Sequence, residues 1–196
     1  NLPTTPKTYR DIFKWGDKRE QPLEKELKQL LKDKFHLQEA DLNAQKDLGD
    51  APVAELPAGR LTDKQLGELK ELVGEDGLDT SSMARASHAY GKYYSELLHL
   101  RRQEMPHPPD AVVYPPDAAA VARVVDFCHR HGTALTPFGA NSSVTRGVET
   151  THQGISMDVT RHMNQVLELN PTNHTVRVQP GIYGPQLEKY LNDQGF

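Results

Sequence analysis

DAVVYPPDAAAVARVVDFCHRHGTALTPFG, residues 110–139, spells a strand, a helix and a second strand in order. AVVY is a short apolar run of the kind a sheet buries, and Asp117 stands where a helix N-cap belongs. Ala118, Val121, Val124, Val125 and Cys128 recur at helical spacing and predict the packed face, with Gly132 as the stop. TALTPF predicts the next strand. A helix of this length lets the two strands run parallel, as in a right-handed βαβ unit.

The second strand opens into GANSSVTRG, residues 139–147, where small and polar side chains leave consecutive backbone amides unshielded. Such a run after a parallel strand makes a nest for an anion, and phosphate is the natural guest. An ordinary turn is the competing reading of the same composition. Two familiar phosphate motifs are absent: no Lys follows Gly139 at Walker spacing, and the next glycine is Gly147, too far for a dinucleotide fingerprint. Beyond the loop, GISMDV, QVLELN and TVRVQPG predict three strands, the last two joined by a turn through Asn170 to Asn173. A final helix from about Gly184 to Asp193 carries Leu187, Tyr190 and Leu191, with Gly195 placed to end it.

Upstream of residue 110 the pattern is helical and loopy. Leu23, Leu27, Leu30, Leu31 and Phe35 form one stripe of an amphipathic surface helix. Asn43 to Arg60 has no period and predicts an extended linker. TDKQLGELKELVG opens with a Thr62–Gln65 capping box and ends at Gly74, which predicts a short helix. One further helix is expected from about Ser82 to Arg102, with Tyr90, Tyr93, Tyr94, Leu97 and Leu98 in the core, until MPHPPD breaks it.

Composition limits the function. A chain of 196 residues with net charge −4 and mean hydropathy −0.68 suits one polar-surfaced core plus an extension. The acidic balance argues against nucleic acid as partner. Cys128 is the one cysteine, so no intrachain disulfide is expected and a reducing, cytoplasmic setting is predicted. No apolar run approaches a membrane span, so a soluble protein is expected. His129 and His131 diverge across a helix end, so no metal site is predicted. Cys128 reads as a small core residue and Asp158 as the cap of a turn or a ribose contact.

Taken in order, the pieces from Asp110 to Gly195 resemble the first half of the FAD-binding domain of the PCMH-type, vanillyl-alcohol-oxidase family. That family writes the loop P-x-G-G-G-T-S-V. It follows the loop with a strand ending in Asp, a Met-Asn pair and a hairpin closing on V-x-x-G. FKWG, residues 13–16, and RASHAYGKYYSE, residues 85–96, resemble the W-G element and R-x-x-H-A-x-G-x4-E helix of the alkylglycerone-phosphate synthase subgroup.

The resemblance implies an α+β fold: a helical arm over residues 1–109, then half of an FAD-binding domain over 110–196, built as βαβ followed by mixed strands and a helix. It implies FAD as cofactor, its pyrophosphate wrapped by Pro137, Gly139, Ala140, Asn141, Ser142, Ser143 and Val144. Ala140 and Asn141 stand where the family has glycine, and a left-handed alanine would cost roughly 1 to 2 kcal/mol. Arg146 reads as a solvated loop residue, with reach to a phosphate as the alternative, and His88 as helix packing or a flavin contact.

The implied reaction is exchange of the acyl chain of acyl-dihydroxyacetone phosphate for a fatty alcohol, a step of ether-lipid synthesis. It implies a lipid-like substrate, peripheral contact with a membrane, an open question of homodimerisation and, in a eukaryote, a peroxisomal setting. The substrate cap and catalytic residues are expected beyond the equivalent of Phe196. Two alternatives stand beside it: an FAD-linked oxidase of a 2-hydroxy acid, and a degenerate, flavin-free interaction module.

Overall fold

The computed structural model describes residues 8–14, 22–43 and 49–196. Trp15 and Gly16 of the FKWG stretch lie outside the described residues. The arm contains α1 (Tyr9–Phe13), α2 (Lys25–Phe35), α3 (Glu39–Leu42), α4 (Asp63–Val73), the short strand β1 (Leu78–Asp79), α5 (Ser82–Ser87) and α6 (Tyr94–Arg101). The second half follows as β2 (Ala111–Val113), α7 (Ala118–His131), β3 (Leu135–Phe138), β4 (Ile155–Asp158), the hairpin β5 (Val166–Asn170) and β6 (Thr175–Val178), and α8 (Gly184–Asp193).

The predicted strand–helix–strand unit is present, with local chemistry that explains it. Asp117 Oδ1 accepts from the Ala120 amide at 2.7 Å and starts α7, and Gly132 ends it in the left-handed region at φ 60°. The two flanking strands do run parallel, but β4 lies between them: the sheet order is β1-β2-β4-β3, with β4 parallel to both neighbours and β1 antiparallel to β2. The buried stripe of α7 differs from the valine-led one expected. Ala120, Val124, Phe127 and Cys128 face the sheet, while Val125 stays 47% exposed. Their i, i+4, i+7, i+8 spacing admits Phe127, whose ring removes more apolar surface from water than a valine does.

The main core crosses residue 110. Leu69 and Val73 of α4 pack with Val113, Val124, Phe127, Cys128, Ile155 and Met157, so the arm supplies one wall of the sheet's hydrophobic layer. The Thr62–Gln65 capping box that starts α4 is present as predicted. A second cluster joins Tyr9, Ile12 and Phe13 of α1 to Ala86, Ala89, Tyr90 and Leu100. The amphipathic helix α2 lies on the surface, with Leu27, Leu30 and Phe35 exposed.

The single helix expected over 82–102 is instead two, α5 and α6, parted by a turn over residues 88–93. Tyr90 is buried in the second cluster, but Tyr93 and Tyr94 face out, at 43% and 72% exposure. Helical spacing placed all three tyrosines on one face. The turn separates them, and the reason lies in the loop it touches.

Candidate functional site

The loop predicted to bind an anion leaves the carboxyl end of β3, where ligands of parallel sheets gather. Pro137 sits on this edge strand, opposite Met157, where its missing N–H leaves no central ladder bond unmade. Among the described residues, no backbone amide from Gly139 to Arg146 has a protein acceptor. Gly147 N donates to Ser143 Oγ at 3.0 Å and Glu149 N to Arg146 O at 3.3 Å, which closes the far end of the loop. A side chain on Gly139 would enter open space.

Asn141 takes the left-handed conformation at φ 53°, a region its short amide tolerates. Ala140 does not have a positive φ, so replacing glycine there carries no backbone strain. The cost of a left-handed alanine therefore does not arise at Ala140. Asn141 Oδ1 is buried without a donor, and buried polar atoms in native proteins are paired by protein, ligand or water. Free amides, open space at Gly139 and this unmatched oxygen together fit a polyoxygen ligand with acceptors and hydroxyls. Arg146 is spoken for: its Nε donates to Glu149 Oε2 at 2.6 Å, and it stays half exposed.

Beneath the loop lies the 88–93 turn. Lys92 N donates to Ser143 O at 2.6 Å and Thr150 N to Ala89 O at 3.4 Å. His88 is buried, its ring 4.3 Å from that of Phe138 at the end of β3. His88 Nδ1 lies 2.8 Å from Ala84 O and Nε2 lies 3.0 Å from Asp158 Oδ2, so both ring nitrogens are within hydrogen-bond reach of a fixed oxygen. Asp158 Oδ1 accepts from the amide and hydroxyl of Thr160, each at 2.7 Å. Burial opposes charge on Asp158, but the bonds from His88 and Thr160 outweigh it and hold the carboxyl below its ordinary range. Asp158 is thus the turn cap expected, with His88 as a second partner.

Two more charged groups fix this turn. Lys92 donates through Nζ to Ile12 O, and burial lowers its pKa to about 8, with nearby Glu96 pulling the other way. Arg85 is buried and donates to Pro109 O and Pro57 O, both at 2.7 Å, stitching the arm to the start of β2. Gly91, Lys92 and Thr150 escape a reading that treats residues 82–102 as one helix. The signal for them was a glycine set inside a tyrosine-rich helical pattern.

Other features lie away from the loop. An open depression lined by Arg60, Gln65, Asp110, Thr133 and His152 sits at the amino ends of β2 and β3, and Arg60 there is engaged by Asp110 and by His152 O. Cys128 is buried, and burial pushes its thiol up to about 11, the behaviour of a packing residue. Among the described residues, no group of three His, Cys, Asp or Glu is placed to hold a metal ion, and no helix is long and apolar enough to cross a membrane.

A mixed sheet that delivers an amide-lined loop at a strand's carboxyl end makes an α+β domain with a candidate anion site. Residues 109–196 match the family model described as FAD binding domain, a match that supports FAD as the cofactor. The chain is 29% identical over 149 residues to an alkyldihydroxyacetonephosphate synthase of Trypanosoma brucei brucei, covering 74% of this chain and 24% of the relative. It is 38% identical over 91 residues to a D-2-hydroxyglutarate dehydrogenase of Escherichia coli, covering 45% of this chain and 9% of that protein. A solved alkyldihydroxyacetonephosphate synthase superposes with a TM-score of 0.66 at 29% identity, over 71% of this chain and 27% of that one. The chain spans about a quarter of the length of the synthases it matches.

Proposed function

We propose that this chain is the N-terminal part of a flavoenzyme of the alkylglycerone-phosphate synthase type, and that its 139–146 loop grips the pyrophosphate of FAD. The observation that carries the cofactor site is the run of amides from Gly139 to Arg146 with no protein acceptor. Two linked phosphates bring charge that several N–H donors stabilise together, and such charge-assisted bonds are the stronger kind. Gly139, Ala140, Asn141, Ser142, Ser143 and Val144 supply these amides, Pro137 stiffens the strand that launches them, and the Ser142 hydroxyl adds a donor. Lys92 and Arg146 are occupied by protein partners, so the amides carry the neutralisation.

The synthase reading draws support from the arm. The arm holds the synthase-like R-x-x-H-A-x-G-x4-E pattern at Arg85, His88, Ala89, Gly91 and Glu96. Bound flavin would supply an electron sink for exchanging the acyl chain of acyl-dihydroxyacetone phosphate for a fatty alcohol with no net redox change. A second reading, an FAD-linked oxidase of a 2-hydroxy acid, is favoured by the 38% identity to a D-2-hydroxyglutarate dehydrogenase over 91 residues, against 29% over 149 residues for the trypanosomal synthase.

Two assays on the purified full-length protein separate these readings. Flavin absorbance with incorporation of labelled hexadecanol into acyl-dihydroxyacetone phosphate is the expected result. Reduction of a dye by a D-2-hydroxy acid without alcohol incorporation selects the oxidase. A colourless protein that takes up no added FAD overturns both.

A further inference from the structure

The loop rests on the arm in a way that sets where its amides point. Among the described residues, its one backbone hydrogen bond to the arm is at the Ser143 carbonyl, which accepts from Lys92 N at 2.6 Å. In a trans peptide the C=O and the following N–H point in opposite directions, so this bond turns the Val144 amide away from the arm. Gly91 makes the approach possible. A Cβ there would stand 2.6 Å from Ser143 O, 3.1 Å from Val148 Cγ2 and 3.2 Å from Ser143 Cβ. The first of these distances is impossible without displacing loop backbone. The two ends of the loop are tied to the same turn: His88 packs on Phe138 and bonds Asp158, and Ala89 O takes the Thr150 amide. The turn in its own right is pinned by Lys92 Nζ on Ile12 O and by Glu96 Oε2, which accepts from Tyr93 N at 2.8 Å.

We propose that residues 88–92 of the arm are a positioning element for the cofactor, with Gly91 setting the height of the 139–146 loop so that its amides meet the FAD pyrophosphate. This rests on the reading of the loop as the FAD site. It assigns to the R-x-x-H-A-x-G pattern a task in cofactor binding that needs no contact with the cofactor.

The test uses the apo form of the full-length protein titrated with FAD and followed by flavin fluorescence. Gly91→Ala is compared with Gly67→Ala, an addition in α4 that meets no atom within 4 Å. The expected result is a loss of FAD affinity of at least tenfold for Gly91→Ala, with Gly67→Ala within twofold of wild type and far-UV circular dichroism unchanged in both. Equal affinity of Gly91→Ala and wild type overturns the proposal while leaving the loop reading intact. Failure of the wild type to bind FAD defeats the loop reading first.

Should Gly91→Ala not fold, hydrogen exchange on the wild type decides. FAD should slow exchange at residues 88–92 together with 139–146. Protection confined to the loop overturns the proposal.

Discussion

The loop at 139–146 and the turn at 88–93 touch each other, yet they handle their polar groups in opposite ways. The turn spends most of them on the protein: His88 and Lys92 bond fixed partners, Glu96 takes the Tyr93 amide on Oε2 although its buried Oε1 is unmatched, and the carbonyl of Ala89 is taken. The loop holds its amides back from protein acceptors and hides an unmatched Asn141 oxygen. Leaving donors unpaired is tolerable only where water or a ligand completes them. A site of this kind needs a neighbour tied to the rest of the protein, because a floor that could rearrange would let the free amides collapse onto it.

The strongest way to break that contrast is to open the floor. His88→Ala leaves Asp158 buried with only Thr160 for company, and taking a hydrogen-bond partner from a buried carboxylate should cost about 3 kcal/mol. Urea unfolding of the apo protein at pH 7 reads the loss. The pH dependence gives a second check. Asp158 has a lowered folded pKa, so its contribution is present above the unfolded value of 3.8 and is lost as pH falls through the folded value. The gap between wild type and His88→Ala should therefore hold steady above about pH 5 and shrink in stronger acid.

Charging the free face sharpens the contrast from the other side. Ser142 is exposed and makes no hydrogen bond to the described residues, so Ser142→Asp should change apo stability by less than about 0.5 kcal/mol. Beside a pyrophosphate the new carboxylate repels, and an effect of about 1.4 kcal/mol weakens FAD tenfold. Thermal melts of the apo protein and a fluorescence titration with FAD, run on one preparation, separate the two quantities. A variant that loses stability and affinity in parallel would show that the loop is part of the fold's own bonding.

How much of this could be read beforehand divides along the same line. The strand, capped helix and strand of residues 111–138 were legible because each rests on local rules: an Asp that caps, a Gly that stops, apolar residues that repeat. The loop was legible as a run of small residues, and its place at a strand end followed from that order. What local rules missed is non-local. Nothing in the spacing of β2 and β3 announces that β4 will lie between them. The helix over 82–102 breaks because Gly91 must admit Ser143 O, fifty-two residues further along the chain, and periodicity cannot register such a contact. A valine stripe at helical spacing points to Val125, whereas burial follows the bulkier ring of Phe127.

The smallest effect tests whether the loop's backbone shape matters apart from its charge. Asn141 sits at φ 53°, where an alanine pays for its Cβ and a glycine does not. Asn141→Ala should lower apo stability by about 1 kcal/mol and Asn141→Gly by distinctly less, since the buried side-chain oxygen removed in both has no protein partner to lose. Differential scanning calorimetry on the pair isolates the backbone term, because both variants delete the same amide. If the two melt together, the left-handed turn at Asn141 is not holding the loop open, and the floor at Gly91 and Lys92 alone must do so.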